Sequence, residues 1–302
     1  MYYIYSILLG ILIATMIVSN GGLTSHYGIY EATAMIHFIG LIFVSIFLKI
    51  NHEKVFNKQS KMEGDYHNKK LPFYLYLGGA LGMITTVFNN MAFGKISVSA
   101  ILALGLLGQS IASLFIDQFG LFGMPKCSFP KKKLIGIFFV ILGIILMVSL
   151  NEVGMFIAII VSFMSGIAIV LSRTINAKLA QETSLLISTF YNYVIGLFIS
   201  CIIMLLLGGY GELYLKIQKP SNVWIYLGGV ISVFVVILSN ATVTKISSLY
   251  MTLLIFIGQV FTGILLDFLL THTFSQKNLI GSIFVTTGLA LNVWLDKNRT
   301  KS

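Results

Sequence analysis

Apolar runs and short polar breaks alternate along the whole chain, and ten of the runs approach the roughly 20 residues a helix needs to cross a hydrocarbon core of about 30 Å. They fall at about 4–20, 30–48, 72–93, 97–118, 133–150, 154–172, 184–207, 222–243, 247–270 and 278–295. Their length is helical: a membrane barrel would show segments of about 10 residues alternating apolar and polar, and these runs do not alternate. Helices also satisfy their own backbone hydrogen bonds, as lipid demands. The breaks are too short for a soluble domain, and the longest, residues 49–71, is rich in Lys, Asn and Glu and reads as a solvated loop. The first run lacks the basic flank of a signal peptide and reads as a span.

Polar positions inside the runs repeat. Residues 76–119 align without a gap on 226–269, and the matches include Gly78/Gly228, Asn90/Asn240, Lys95/Lys245, Ser97/Ser247, Gly108/Gly258, Gln109/Gln259 and Asp117/Asp267. Shared Leu and Ile would prove little between two apolar segments, so these polar and glycine matches carry the weight. Gly10, Asn20, Leu23 and Gly40 likewise match Gly166, Asn176, Leu179 and Gly196, and Gly136 and Gly143 match Gly281 and Gly288. The chain is thus expected to be an all-α integral membrane protein of ten transmembrane helices, in two five-helix units, 1–152 and 153–302. Five is odd, so the second unit enters the membrane upside down, which makes an inverted repeat.

Charge orients the expectation. With both termini in the cytoplasm, every Lys and Arg except Lys95, Lys216, Lys219 and Lys277 falls on the cytoplasmic side, counting Arg173 and Lys178 as residues of a loop. A multi-pass protein of the cell membrane follows. At 57% hydrophobic and 10% charged residues the chain cannot present a water-soluble surface. Its formal charge of +10 sits in short loops, not on one face of a folded domain, so nucleic-acid binding is not expected. Cys127 and Cys201 have neither CxxC nor paired-histidine context, so neither a disulfide framework nor a zinc site is suggested, and no metal or other cofactor is expected.

The segment GQSIASLFIDQFGLFG (108–123), preceded by FNNMAFGKIS and followed by a basic turn into LIGIFFVILG (134–143), resembles the YdcZ-type family of the drug/metabolite transporter superfamily. With the early Gly10, Asn20, Leu23 and Gly40 pattern, the resemblance covers nearly the whole chain and looks like two family units fused. Gly108, Gln109, Asp117 and Gly120 carry the motif in the first unit; the second keeps Gly258, Gln259 and Asp267 but has Leu270 in place of the last glycine. The resemblance implies a carrier that exposes a central cavity alternately to each side, commonly an exporter of small molecules.

Gln109 and Gln259 lie about twelve residues into helices 4 and 9, near the midplane, where an amide must find a partner in protein or in a wet cavity. They are read as cargo-binding groups, with interhelical packing glue as the structural alternative. Asn90 with Lys95 and Asn240 with Lys245 are expected at opposite faces, and Asn20 and Asn176 at the ends of helices 1 and 6: paired gates, or helix caps and snorkelling lysines. Asp117 and Asp267 close helices 4 and 9 and are expected to anchor or salt-bridge, for instance with Lys131 to Lys133, more than to carry protons. Residues that break the repeat are candidates for cargo selection: Glu31 and His37, whose counterparts are Ile187 and Tyr193, and Tyr191, Asn192, Tyr193 and Tyr250 as an aromatic wall with polar tips. Helix 1 holds no acid, so the proton–drug exchange that small multidrug antiporters run on a helix 1 glutamate transfers poorly.

The function expected is alternating-access transport, in the export direction, of a small neutral, zwitterionic or weakly polar metabolite. An uptake carrier of the same fold and a non-transporting lipid-binding scaffold stay open. No HExxH, GxSxG or paired midplane carboxylates point to an intramembrane enzyme. The partners are a small-molecule substrate and the lipid bilayer; two fused units can work as a monomer, with an oligomer left open.

Overall fold

The structure, a computed structural model, describes residues 2–51, 71–121, 133–148, 153–208, 222–243, 245–246, 248–272 and 275–299. Ten α-helices follow one another: α1 Tyr2–Tyr27, α2 Ile29–Ile50, α3 Gly78–Ala92, α4 Val98–Phe119, α5 Lys133–Met147, α6 Val153–Glu182, α7 Leu185–Leu207, α8 Leu227–Val243, α9 Ser248–Thr271 and α10 Gln276–Arg299. A short 3₁₀ turn leads into α3 (Phe73–Tyr76) and another into α8 (Val223–Tyr226). Seven stretches, in α1, α2, α4, α6, α7, α8 and α9, are long and apolar enough among the described residues to cross a membrane. Large apolar side chains such as Phe38, Ile46, Phe138, Phe198 and Leu206 remain exposed on the bundle's outside, the surface a lipid solvent would cover.

Local chemistry sets the boundaries. Ser97 caps α4, its Oγ accepting from Ala100 N at 3.2 Å, and Ser184 caps α7 through Ile187 N at 3.1 Å. Gly28, at φ 104°, breaks what would otherwise be one helix into α1 and α2, and Gly120, at φ 61°, ends α4 in the left-handed region. Inside the helices many hydroxyls, including those of Thr33, Thr85, Thr174 and Thr189, donate to the carbonyl four residues back. That lets polar side chains sit in apolar surroundings without an orphaned group.

Two expectations change here. Hydropathy ended helix 6 at 172 and left Arg173 and Lys178 to a loop, but α6 runs ten residues further and Arg173 is buried within it. Asn20 and Asn176 do not end their helices, which continue to Tyr27 and Glu182. A polar residue lowers a hydropathy average, whereas a helix needs only its backbone bonds to continue.

The helix contacts recur when the two halves of the chain are exchanged. α3 and α4 pack on α6, and their counterparts α8 and α9 pack on α1; α2 packs on α7, α4 on α9, and α5 on α10. Glycines make this exchange visible. A Cβ on Gly10 would meet Ile255 O at 2.0 Å, and one on its counterpart Gly166 would meet Gly105 O at 1.8 Å. Gly108 lies against Phe163 O and Ile167 N, Gly258 against Ile7 O and Ile11 N. Equivalent helices run antiparallel: Gly136 meets Gly288 while Gly143 meets Gly281, and Gly40 meets the Tyr193 ring while Gly196 meets that of His37. The α5–α10 pair shares an apolar core with α4 and α9 (Leu104, Leu106, Val140, Phe256, Val285).

Candidate functional site

The buried polar side chains gather along the seam where α2, α3, α6, α7 and α8 meet. At the start of α3, Gly78 faces Asn176, and a Cβ there would lie 2.0 Å from Asn176 Oδ1. Asn176 Nδ2 donates to Asn192 Oδ1 at 2.8 Å and to Ser172 Oγ at 3.3 Å, Ser172 donates to Gly78 O at 2.8 Å, and Ser188 donates to Asn176 O at 2.7 Å. Three helices are tied at one point. At the other end of α3, Asn90 Nδ2 donates to Thr33 Oγ1 at 3.3 Å, and Ser165 donates to Asn89 Oδ1 at 2.8 Å.

Between these lie His37 and Tyr193, rings 6.0 Å apart. The His37 Nδ1 donates to Thr33 O at 2.8 Å, and the Tyr193 hydroxyl donates to Ser232 Oγ at 2.6 Å, which passes its own proton to Gly229 O. The Tyr193 hydroxyl and the His37 Nδ1 are therefore already held by the protein. Tyr191 pairs with Tyr76 at 4.9 Å, on the side of α7 away from Tyr193. Glu31, at the start of α2, has its carboxylate beside Gly28 and Gly208, apart from His37.

The other expected residues are dispersed. Gln109 and Gln259 are both buried, but on separate seams: Gln259 N lies 2.9 Å from where a Gly10 Cβ would stand, on the α1 side, while Gly108, next to Gln109, seats α6. Asn20 faces Gly228 as Asn176 faces Gly78. Asn240 is buried in α8. Lys95 and Lys245 are both exposed in the turns after α3 and α8. Asp267 reaches the start of α4: its Oδ1 accepts from Val98 N at 2.7 Å and its Oδ2 from Ser99 N at 3.0 Å and Ser99 Oγ at 2.5 Å. A carboxylate from the end of α9 thus caps the start of α4, where free amides and the helix dipole favour an anion. Ser247, Cys127, Lys131 and Lys132 lie outside the described residues, as do the side chains of Asp117, Lys133 and Tyr250.

Sequence reasoning missed two features. The Tyr27 and Tyr226 hydroxyls are hydrogen-bonded to each other, joining the end of α1 to the turn before α8, a contact no spacing announces. Arg173 is the second: it is 5% exposed, and its Nε and Nη2 have no hydrogen-bond partner among the described residues. The signal was present, since the repeat aligns this arginine with Ile17. The recess bounded by Ile145, Leu146, Val148, Lys277 and Ile280 belongs to the α5–α10 pair and not to this seam.

No curated protein matches the chain. A solved structure named only "Crystal structure of protein" is similar over 100% of this chain and 98% of its own, with a TM-score of 0.64 and 14% identity. At that identity the likeness speaks for the fold alone. The sequence model of a family described as "Putative inner membrane exporter, YdcZ" matches twice, over residues 1–146 and 157–291. The two matches divide the chain near the point about which the helix contacts exchange, so the chain belongs to the YdcZ family of the drug/metabolite transporters, as two family units in one polypeptide.

Proposed function

We propose that the protein is an alternating-access exporter of the inner membrane, built as an inverted repeat of units 1–152 and 153–302, with both termini cytoplasmic. Its cargo is a small neutral, zwitterionic or weakly polar metabolite, moved along the seam between the units by a single chain. The observation that carries this reading is the doubled seat of asparagine on glycine, Asn176 on Gly78 and Asn20 on Gly228. In an inverted repeat these seats lie toward opposite faces, where a rocking carrier needs its two alternating closures. The antiparallel course of α2 with α7 and of α5 with α10 supports the inversion. The lysine bias supports the orientation and survives the removal of Arg173 from the loops. The family's description as exporters favours transport over catalysis and over a lipid-binding scaffold. Gln109 and Gln259 are assigned to the path, with Glu31, His37, Asn192, Tyr193 and Tyr250 selecting cargo and the Asn/Lys and Asp pairs gating or bracing it.

A thermal-shift screen of the purified protein against metabolites identifies a ligand, and counterflow of that ligand in proteoliposomes measures transport. The double change Gln109→Leu, Gln259→Leu is expected to lower counterflow about tenfold, the loss of one good hydrogen bond to cargo, with the protein still monodisperse. Undiminished counterflow would remove the glutamines from the path, and no counterflow of any ligand by the native chain would favour the scaffold.

A further inference from the structure

Arg173 lies nine residues before the end of α6, roughly 13 Å at 1.5 Å per residue, and only 5% of it is exposed. It does not snorkel to the helix end. A guanidinium keeps its proton under protein conditions, so a positive charge is held in the interior with Nε and Nη2 unpartnered among the described residues. The carboxylates whose side chains are described are placed elsewhere: Asp267 is on the α4 amides, Glu31 is beside Gly28 and Gly208, and Glu182 is exposed. A lone interior charge is expensive enough that it marks a working site more often than a packing choice.

Its surroundings say what it works on. One turn before it, Val170 packs on Ala112 and Ile116 of α4; one turn after it, Ala177 packs with Val243 of α8 and Met251 of α9. Arg173 therefore sits where α6 passes from the first unit to the second. Beside Val243, the Thr242 Oγ1 is fully buried with no partner among the described residues. The free edge of the guanidinium and this hydroxyl are donors suited to an oxyanion, and the guanidinium fork matches a carboxylate.

The other unit shows that the fold does not require this charge. The counterparts of Arg173 and Thr242 are Ile17 and Ala92, and both lie in one apolar cluster with Val98 and Ile101. The same helix arrangement thus packs dry on that side. We propose that Arg173, with Thr242 on α8, is an anion subsite of the transport path that takes the carboxylate of the cargo. This rests on the carrier reading and narrows its cargo to acids and zwitterions.

The test uses a reporter cysteine, Thr242→Cys, in the full chain with Cys127→Ser and Cys201→Ser, in membrane vesicles of both orientations. Labelling rates are compared for an anionic (ethylsulfonate) and a cationic (ethyltrimethylammonium) methanethiosulfonate. The anionic reagent is expected to be preferred, with the ratio of the two rates falling about tenfold in Arg173→Ile, which copies the mirror position, and largely kept in Arg173→Lys. Benzoate at millimolar concentration is expected to slow labelling where benzamide does not. An unchanged ratio in Arg173→Ile, no labelling from either side, or equal action of benzoate and benzamide would overturn the subsite. Slowing by inorganic phosphate or by phosphatidylglycerol-rich vesicles but not by benzoate would give the site to a lipid headgroup and overturn the cargo assignment. Asn90→Cys, on the other unit, separates the two ideas: it is expected to label from the side opposite to Thr242→Cys, and its failure to do so counts against alternating access and not against the charge at Arg173.

Discussion

Asn20 and Asn176 occupy equivalent places in α1 and α6 and press their side chains against equivalent glycines, yet they live in different chemistry. Asn176 has Asn192 and Ser172 as partners. At the corresponding places around Asn20 stand Ile36 and Met16, and the Asn20 Oδ1 is buried with no partner among the described residues. The two units share a backbone arrangement and its glycine contacts, while the polar network has been kept in one and replaced by apolar packing in the other. Glycine packing is shared by both units, while the bonded asparagine pair Asn176–Asn192 and the buried Arg173 stand in the second alone.

The comparison can be broken most severely where the units agree. Gly166→Val and Gly10→Val each put carbon atoms into a facing backbone carbonyl, so both are expected to cost about 3 kcal/mol or more, seen as aggregation or a broad profile in size-exclusion chromatography. A Gly10→Val protein as stable as the native one would show that the α1–α9 seam is looser than its twin. Smaller effects come where the units differ. Asn176→Ala strips Asn192 of its donor and is expected to cost about 2 kcal/mol in denaturation in detergent micelles, against less than about 1 kcal/mol for Asn20→Ala, which removes an oxygen already unpaired. Equal costs would mean that Asn20 has found a partner in the membrane, water being the simplest. Comparably small is Tyr193→Phe, which loses the bond to Ser232 but keeps the ring against Gly40. It should cost about 1 kcal/mol, and a large loss of transport at unchanged stability would place the hydroxyl on the cargo.

Much of the fold was legible in advance because lipid leaves a chain few choices. A run of about 20 apolar residues must be a helix, and Ser97 announced the start of α4 before its bond to Ala100 was seen. The matched glycines were legible too, although their purpose was not: Gly78 and Gly228 read only as a match between the two copies, and packing shows each making room for an asparagine of the other unit. The site was less legible. Asp267 read as a surface anchor because the amides it caps lie about 170 positions away in the chain. Tyr193 read as a polar tip for cargo and His37 as a repeat-breaking selector, whereas Ser232 holds the Tyr193 hydroxyl and Thr33 O the His37 Nδ1. Arg173 was assigned to a loop because it follows an apolar run, and hydropathy does not distinguish a helix that ends from one that carries a charge inward.

The sequence by itself determined the class, the ten helices, the duplication and the family, since each depends on patterns local to one segment or on one segment matched to another. Only the tertiary structure decided which unit keeps its asparagine satisfied, which carboxylate caps which helix and which cation is enclosed. Those depend on which atoms of distant helices come within about 3 Å of each other, and that distance is set by how helices settle around their glycines.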